Sequence, residues 1–233
     1  MTRVNAVILA AGMGTRLGRP FPKPLTPLDE GRSILQQQLD NLRQAFGPDV
    51  KVTVVVGFKL ELIMEAAPDA VFVYNELFDQ TNTSKSLLKA LRASDEGPVV
   101  WMNGDVVFDA AVLERLQTNL DAGQTAIAVN TASVGEEEVK YAVDDRGLVS
   151  QLSKQVSNAL GESVGINVVS AADKPALISR LDECGDQDYF ERGIELAVAQ
   201  DGLAVHPVDI SDLFAVEVDF EEDLERANRH ERS

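Results

Sequence analysis

Three stretches of this chain carry residues able to move a phosphorus-linked group. The first is Leu9-Ala10-Ala11-Gly12-Met13-Gly14-Thr15-Arg16-Leu17, followed by Pro22-Lys23-Pro24-Leu25. Glycines let a backbone approach a phosphate closely and present its amide N–H donors. Arg16 and Lys23 are candidate catalytic residues, because two fixed cations on one loop neutralise charge developing on a transferring phosphoryl group. The small pair Ala10-Ala11 leaves room for a base or ribose at a strand end. The second stretch is Gly104-Asp105, whose carboxylate suits Mg²⁺ held over nucleotide phosphates. The third is Glu217-Val218-Asp219, where strand alternation puts both acids on one face. Plainer readings stand beside these: Asp105 as a turn residue, Asp219 as a helix N-cap.

Other phosphate-binding signatures do not fit. A dinucleotide fingerprint needs a third glycine where Leu17 stands, and no Gly-Lys-Ser/Thr closes the loop as a Walker motif would.

The elements that must position these residues alternate along the chain. Apolar, β-branched runs at Val4–Ala10, Val52–Val56, Val71–Tyr74, Val99–Met102 and Thr125–Val129 read as buried strands. Between them the helical period spans Ser33–Phe46, Leu60–Ala66, Ser84–Ala93 and Asp109–Leu120, with Ser33 and Asp109 as N-caps. This alternation predicts an α/β fold with a mostly parallel sheet. Beyond residue 130, a hairpin is expected around Asp144–Gly147, strands at Val164–Val169, Ala204–Val208 and Phe214–Val218, and helices at Pro175–Leu181, Tyr189–Ala199 and Glu221–Asn228. Phe190, Ile194 and Ala197 form a core stripe. One domain over 1–233 is the simplest division: 1–130 as nucleotide-binding half, 131–228 as acceptor half, 229–233 as a frayed tail.

Composition narrows the classes. The 233 residues include 38 acidic and 21 basic ones, a formal charge of −17. Such a surface repels nucleic acid and anionic membrane, so neither is an expected partner. A single cysteine, Cys184, allows no internal disulfide. No apolar run spans a bilayer and no signal peptide is visible, so a cytoplasmic location is expected. His206 and His230 have no metal-ligand neighbours and receive no role. Lys85 reads as a solvated helix residue.

The motif L-A-A-G-x-G-T-R with P-K-x-L resembles the signature of the nucleotidyltransferases that make sugar nucleotides and CDP-alcohols. Tyr74-Asn75-Glu76, Asn82, Ser84 and Leu87, the segment Gly161–Ile166 and the block Val216–Glu225 are similar to small bacterial phosphocholine- and aminoethylphosphonate-type cytidylyltransferases. That resemblance covers nearly the whole chain and implies a Rossmann-like three-layer α/β/α fold with a mixed, mostly parallel sheet. It implies that Leu9, Ala10, Ala11, Gly12, Gly14, Thr15 and Gly104 wrap the nucleotide, that Arg16 and Lys23 contact phosphates, and that Asp105 and Asp219 share Mg²⁺ with Glu217 as a third acid. Asn82 and Ser84 are candidates for reading the base, and Glu162, Tyr189 and Glu191 for binding the acceptor. CTP is favoured by resemblance, with a small phosphorylated alcohol, amine or phosphonate as acceptor. Thr83, Ser84 and Lys85 stand where choline-type relatives often carry aromatic residues, and a quaternary ammonium wants an aromatic cage. Two alternatives stay open: a sugar-1-phosphate uridylyl- or thymidylyltransferase, and a silent nucleotide-binding module. Retention of Lys23 and the metal acids speaks against the silent module.

Overall fold

A computed structural model describes residues 4–14, 17–29, 31–132, 134–135 and 138–231. Its centre is a mixed sheet of nine strands among the described residues. The first strands are β1 (Asn5–Ala10), β2 (Lys51–Val56), β3 (Val71–Tyr74) and β4 (Val99–Asn103), and β1 pairs parallel with both β2 and β4. Next come β5 (Val106–Phe108) and β6 (Thr125–Asn130). The hairpin β7 (Lys140–Val143) and β8 (Val149–Ser153) leans on β9 (Gly161–Val169). β9 runs antiparallel between β4 and β6, while β10 (Val205–Asp209) pairs parallel with β6. Residues 161–169 therefore sit inside the sheet built by residues 1–130.

Helices cover both faces. α1 (Ile34–Phe46), α2 (Leu60–Ala66) and α4 (Ala111–Asp121) bury Leu35, Leu39, Leu42, Ile63, Leu113 and Leu116 against one side. α3 (Thr83–Ala93), α5 (Lys174–Glu183) and α6 (Phe190–Asp201) bury Leu87, Leu91, Leu177, Leu181, Phe190 and Ile194 against the other. The result is three layers, α/β/α. A smaller cluster joins α7 (Glu221–Glu231) to an antiparallel pair of β5 with β11 (Ala215–Glu217), through Val107, Val216, Val218, Leu224 and Ala227. Among the described residues, no helix is long and apolar enough to cross a membrane.

Local chemistry explains most boundaries. Ser33 and Gln36 form a reciprocal capping box at the start of α1, and Gly47 ends it. Three expectations change. Asp109 is not the N-cap of α4, which is Ala110. Its carboxylate accepts instead from the Phe214 N–H and meets His230 at 2.6 Å. The chain end is correspondingly not frayed through residue 231: α7 continues, and the His230 ring stacks on Phe214 with 4.0 Å between centroids. Lys85 is not simply solvated, since its ammonium donates to the Leu181, Asp182 and Cys184 carbonyls at the end of α5. A cation there meets the carbonyls a helix end leaves unpaired.

Candidate active site

The loop after β1 and the turn after β4 meet where chain order in the sheet reverses, β2 lying on one side of β1 and β4 on the other. Open α/β sheets hold ligands at such switch points. A cavity of about 320 Å³ opens there. Leu9, Ala10, Gly12 and Gly14 line it from the first loop, Asn103, Gly104 and Asp105 from the β4 turn, and Glu217 and Asp219 from the end of the chain.

Two glycines make this convergence possible. Gly104 donates its N–H to the Leu9 carbonyl at 2.9 Å, and a Cβ on it would lie 2.7 Å from that same oxygen. Gly14 has a φ of +58°, and a Cβ there would meet Lys23 Cγ at 2.7 Å. The Lys23 stem passes through that gap. Lys23 opens a 3-10 turn, Lys23–Leu25, preceded by Pro22, and is only 7% exposed.

The Lys23 ammonium donates to Asp105 Oδ2 at 3.1 Å and to Asp219 Oδ1. Burial alone pulls its pKa down, but attraction to Asp105 and the hydrogen bond to Asp219 overcome that, leaving it above the ordinary lysine range. Asp105, Glu217 and Asp219 present carboxylate oxygens all within 4.8 Å of one another. Repulsion from Asp105, then burial, then repulsion from Asp219 push the Glu217 carboxyl well above its usual range. Such crowding asks for a cation, and carboxylate oxygens are the donors that hard Mg²⁺ takes. The donor set fits the ion that the sequence suggested.

The distant parts of this cluster are joined by backbone. The Val218 N–H donates to the Asp105 carbonyl at 2.9 Å, and Glu217 pairs with Val106 across β11 and β5. The start of α7 is held by Asp223, whose carboxylate accepts from the Asp219 and Phe220 N–H groups. Buried Gln38 of α1 donates to the Asn103 and Val106 carbonyls at 2.9 and 2.8 Å, gripping the turn that carries Asp105. Polar residues on the apolar face of α1 were the available signal for this grip, and sequence reasoning passed over it.

Other expected residues are distributed unevenly. Asn82 lines the cavity and caps α3, accepting from the Thr83 N–H. Ser84 lies beneath it, fully buried, with a hydroxyl that has no partner. Ala11 packs into the core instead of lining the cavity. Tyr189 and Glu191, at the start of α6, line it as well. Glu162 is outside the lining: its Oε2 accepts from the Gly135 N–H at 2.8 Å, fastening the loop after β6. Thr15 and Arg16 lie outside the described residues. Glu138, Lys154 and Ser163, which no motif marked, complete the lining. Burial, with repulsion from Glu162 and Asp219, raises the Glu138 carboxyl above its ordinary range.

Cys184 is inert on this geometry. It is buried, and that burial, with nearby Asp188, raises its thiol pKa. A larger groove of about 930 Å³, lined by Arg43, Asp49, Lys51 and Asp69 among others, brings together opposed surface charges but, among the described residues, no clustered metal-binding acids.

Comparison with known proteins identifies the family and the fold. Residues 6–185 match the MobA-like NTP transferase domain. The CMP-5'-(3-aminopropyl)phosphonate synthase of Streptomyces rubellomurinus is 32% identical over 97% of the chain, which covers 38% of that protein. The bifunctional protein GlmU of Burkholderia thailandensis is 32% identical over 84% of the chain and 45% of its own length. The chain thus spans under half the length of these curated relatives. Among solved structures, the CTP:phosphocholine cytidylyltransferase LicC of Streptococcus pneumoniae superimposes with a TM-score of 0.79 at 16% identity, covering 98% of this chain and 99% of its own. The inositol-1-phosphate CTP transferase of T. maritima gives 0.78 at 17% identity, with coverages of 97% and 95%. The Rossmann-like nucleotidyltransferase architecture is common to these structures and this one. The chain belongs to the family of MobA-like NTP transferase domains.

Proposed function

We propose that this protein is a Mg²⁺-dependent cytidylyltransferase that joins CMP from CTP to a small phosphonate or phosphate monoester, releasing pyrophosphate. The observation that carries this reading is the meeting of Lys23 with Asp105, Glu217 and Asp219 at the mouth of a glycine-walled cavity. An acceptor oxygen attacks the α-phosphorus, the bond from that phosphorus to the bridging oxygen of pyrophosphate breaks, and the electron pair leaves with pyrophosphate. The nucleophile is already anionic, so no general base is required. Lys23, with Arg16 on the same loop, orients the phosphates and offsets their charge. Asp105, Glu217 and Asp219 would hold Mg²⁺, which when bound supplies further neutralisation of the triphosphate. The backbone from Leu9 to Gly14 cradles the nucleotide, and Asn82 faces it from the helix cap.

Two considerations favour CTP and a non-choline acceptor. The Streptomyces relative is named for a CMP-phosphonate product and matches along nearly the whole chain. The cavity also has no aromatic cage among the described residues. Trp101 is fully buried, edge-on to Phe190, and the Tyr189 ring is already faced by the Lys154 ammonium at 5.4 Å from its centroid. A quaternary ammonium would find one occupied ring, which argues against choline. The GlmU match keeps a sugar-1-phosphate uridylyltransferase as the second reading. Pyrophosphate release from each of four NTPs, assayed with phosphocholine, 2-aminoethylphosphonate, inositol 1-phosphate and glucose 1-phosphate, separates them. Highest kcat/KM for CTP with the phosphonate is expected; highest kcat/KM for UTP with glucose 1-phosphate would establish the second reading.

A further inference from the structure

Among the described residues, Lys59 alone has a positive φ without being glycine, at φ +47° and ψ +46°. Left-handed backbone disfavours any residue with a Cβ, and lysine lacks the short polar side chain that lets asparagine and aspartate adopt it. Lys59 also stands at the N-cap of α2, where its side chain makes no capping hydrogen bond. Caps favour serine, threonine, aspartate, asparagine or glycine, and a cation at that end opposes the helix dipole. Each local choice here is unfavourable. Residues held at such a cost cluster where the surrounding structure uses them.

The use lies in the glycine loop. The Lys59 ammonium donates to the Pro20 carbonyl at 2.5 Å and lies over the Phe58 ring, 5.4 Å from its centroid. One residue earlier, the Phe58 N–H donates to the Ala11 carbonyl at 3.2 Å. Before it comes Gly57, where a Cβ would lie 2.6 Å from that same Ala11 oxygen. Three consecutive residues after β2 thus grip both arms of the loop, Ala11 on the outgoing arm and Pro20 on the returning one. The returning arm leads into Pro22 and Lys23, and the Lys23 stem lies against Gly14 of the outgoing arm. The Leu25 and Thr26 N–H groups close the turn by donating to the Pro22 and Lys23 carbonyls, both at 2.9 Å. The separation of the two arms therefore sets where the Lys23 ammonium stands.

We infer that Lys59 is a positioning residue for Lys23, its ammonium bracing the returning arm of the glycine loop against the turn after β2. This inference rests on the cytidylyltransferase reading, in which Lys23 acts on the nucleotide phosphates. Lys59 and Pro20 are both exposed, so their hydrogen bond competes with water and adds little to the stability of the whole fold. Its consequence is local: it fixes the segment that delivers Lys23 to Asp105 and Asp219.

The test measures pyrophosphate release from CTP with 2-aminoethylphosphonate and Mg²⁺ in the wild type, in Lys59→Met, Lys59→Gly and Lys23→Ala, and in the double variant of Lys23→Ala with Lys59→Met. Lys59→Met keeps the length of the side chain without its donor. A fall in kcat of roughly 10–100-fold is expected, the scale of a small misplacement at a reacting centre. Lys59→Gly should fall as far while its melting temperature stays level or rises, because glycine suits both the left-handed backbone and the cap. In the Lys23→Ala background, Lys59→Met should change kcat by less than about twofold, since the brace then has no ammonium to place. Amide hydrogen exchange across residues 17–26 should be faster in Lys59→Met than in the wild type, with the central strands unchanged. A Lys59→Gly enzyme as fast as the wild type, or unchanged exchange in the loop, overturns the brace. So does a Lys59→Met loss that persists in full in the Lys23→Ala background, which would make Lys59 a phosphate contact in its own right. A wild type that releases no pyrophosphate from any NTP overturns the cytidylyltransferase reading, and the exchange measurement still decides whether Lys59 holds the loop.

Discussion

Lys23 is buried among acids, on a loop with little packing reason to bury a lysine, and its ammonium satisfies two of them. Lys23→Ala removes one preorganised charge, and a loss of roughly 10²–10³ in kcat is expected, with far-UV circular dichroism unchanged. Near-normal turnover would remove Lys23 from the chemistry. Glu191 gives a second prediction with the opposite sense for stability. Its folded pKa of about 7 lies above its ordinary value of 4.5, so the folded state holds this proton more tightly than the unfolded chain does. The stability this gives is fully present below the unfolded value and is lost as pH rises through the folded one. A gap of two to three pH units corresponds to roughly 3 kcal/mol. Ligand-free Glu191→Gln should therefore be more stable than wild type at pH 8, by up to about that amount, and the gain should shrink toward pH 5. Urea melts at the two pH values check it, and an equal difference at both would contradict the assigned burial.

Elements carry these residues to one place, and α1 shows how. Its apolar stripe packs on the sheet, but Gln37, Gln38 and Asn41 reach from the same helix to backbone carbonyls at Asn103, Val106 and Phe108. Gln38→Ala would leave two carbonyls short of a donor, at about 1–3 kcal/mol each, and loosen the turn bearing Asp105. A lower urea midpoint together with weaker Mg²⁺ binding, read by calorimetry, is the expected pair of effects. A stability loss with Mg²⁺ binding intact would confine Gln38 to a structural role.

The strands and most helices were legible because buried parallel strands are short apolar runs and the helices carry a clear 3.6-residue period. Ser33 and Gly47 bounded α1 by local chemistry alone. Asp109 misled because its carboxylate is taken by partners about a hundred residues away, Phe214 and His230, which no local rule reveals. Likewise the Lys23, Asp105 and Asp219 cluster was readable as motifs, whereas Glu138, Lys154 and Ser163 come from the irregular second half and are assembled by β9 inserting into the sheet. Glu162 had the right residue type but is turned to the loop at Gly135.

At the scale of the molecule, a chain with a net charge of −17 binds an anionic nucleotide only where local cations and a metal reverse the field. Mg²⁺ should accordingly raise the melting temperature by relieving repulsion among Asp105, Glu217 and Asp219, and Asp105→Asn should abolish most of that rise. The measurement that bears most directly on the whole account is pyrophosphate release from CTP with 2-aminoethylphosphonate, run with Mg²⁺, with chelator, and in Asp219→Asn. Turnover that needs the metal and falls by roughly 10²-fold or more in the variant is the expected result. Metal-independent turnover, or an Asp219→Asn enzyme as fast as wild type, would contradict the site as assembled.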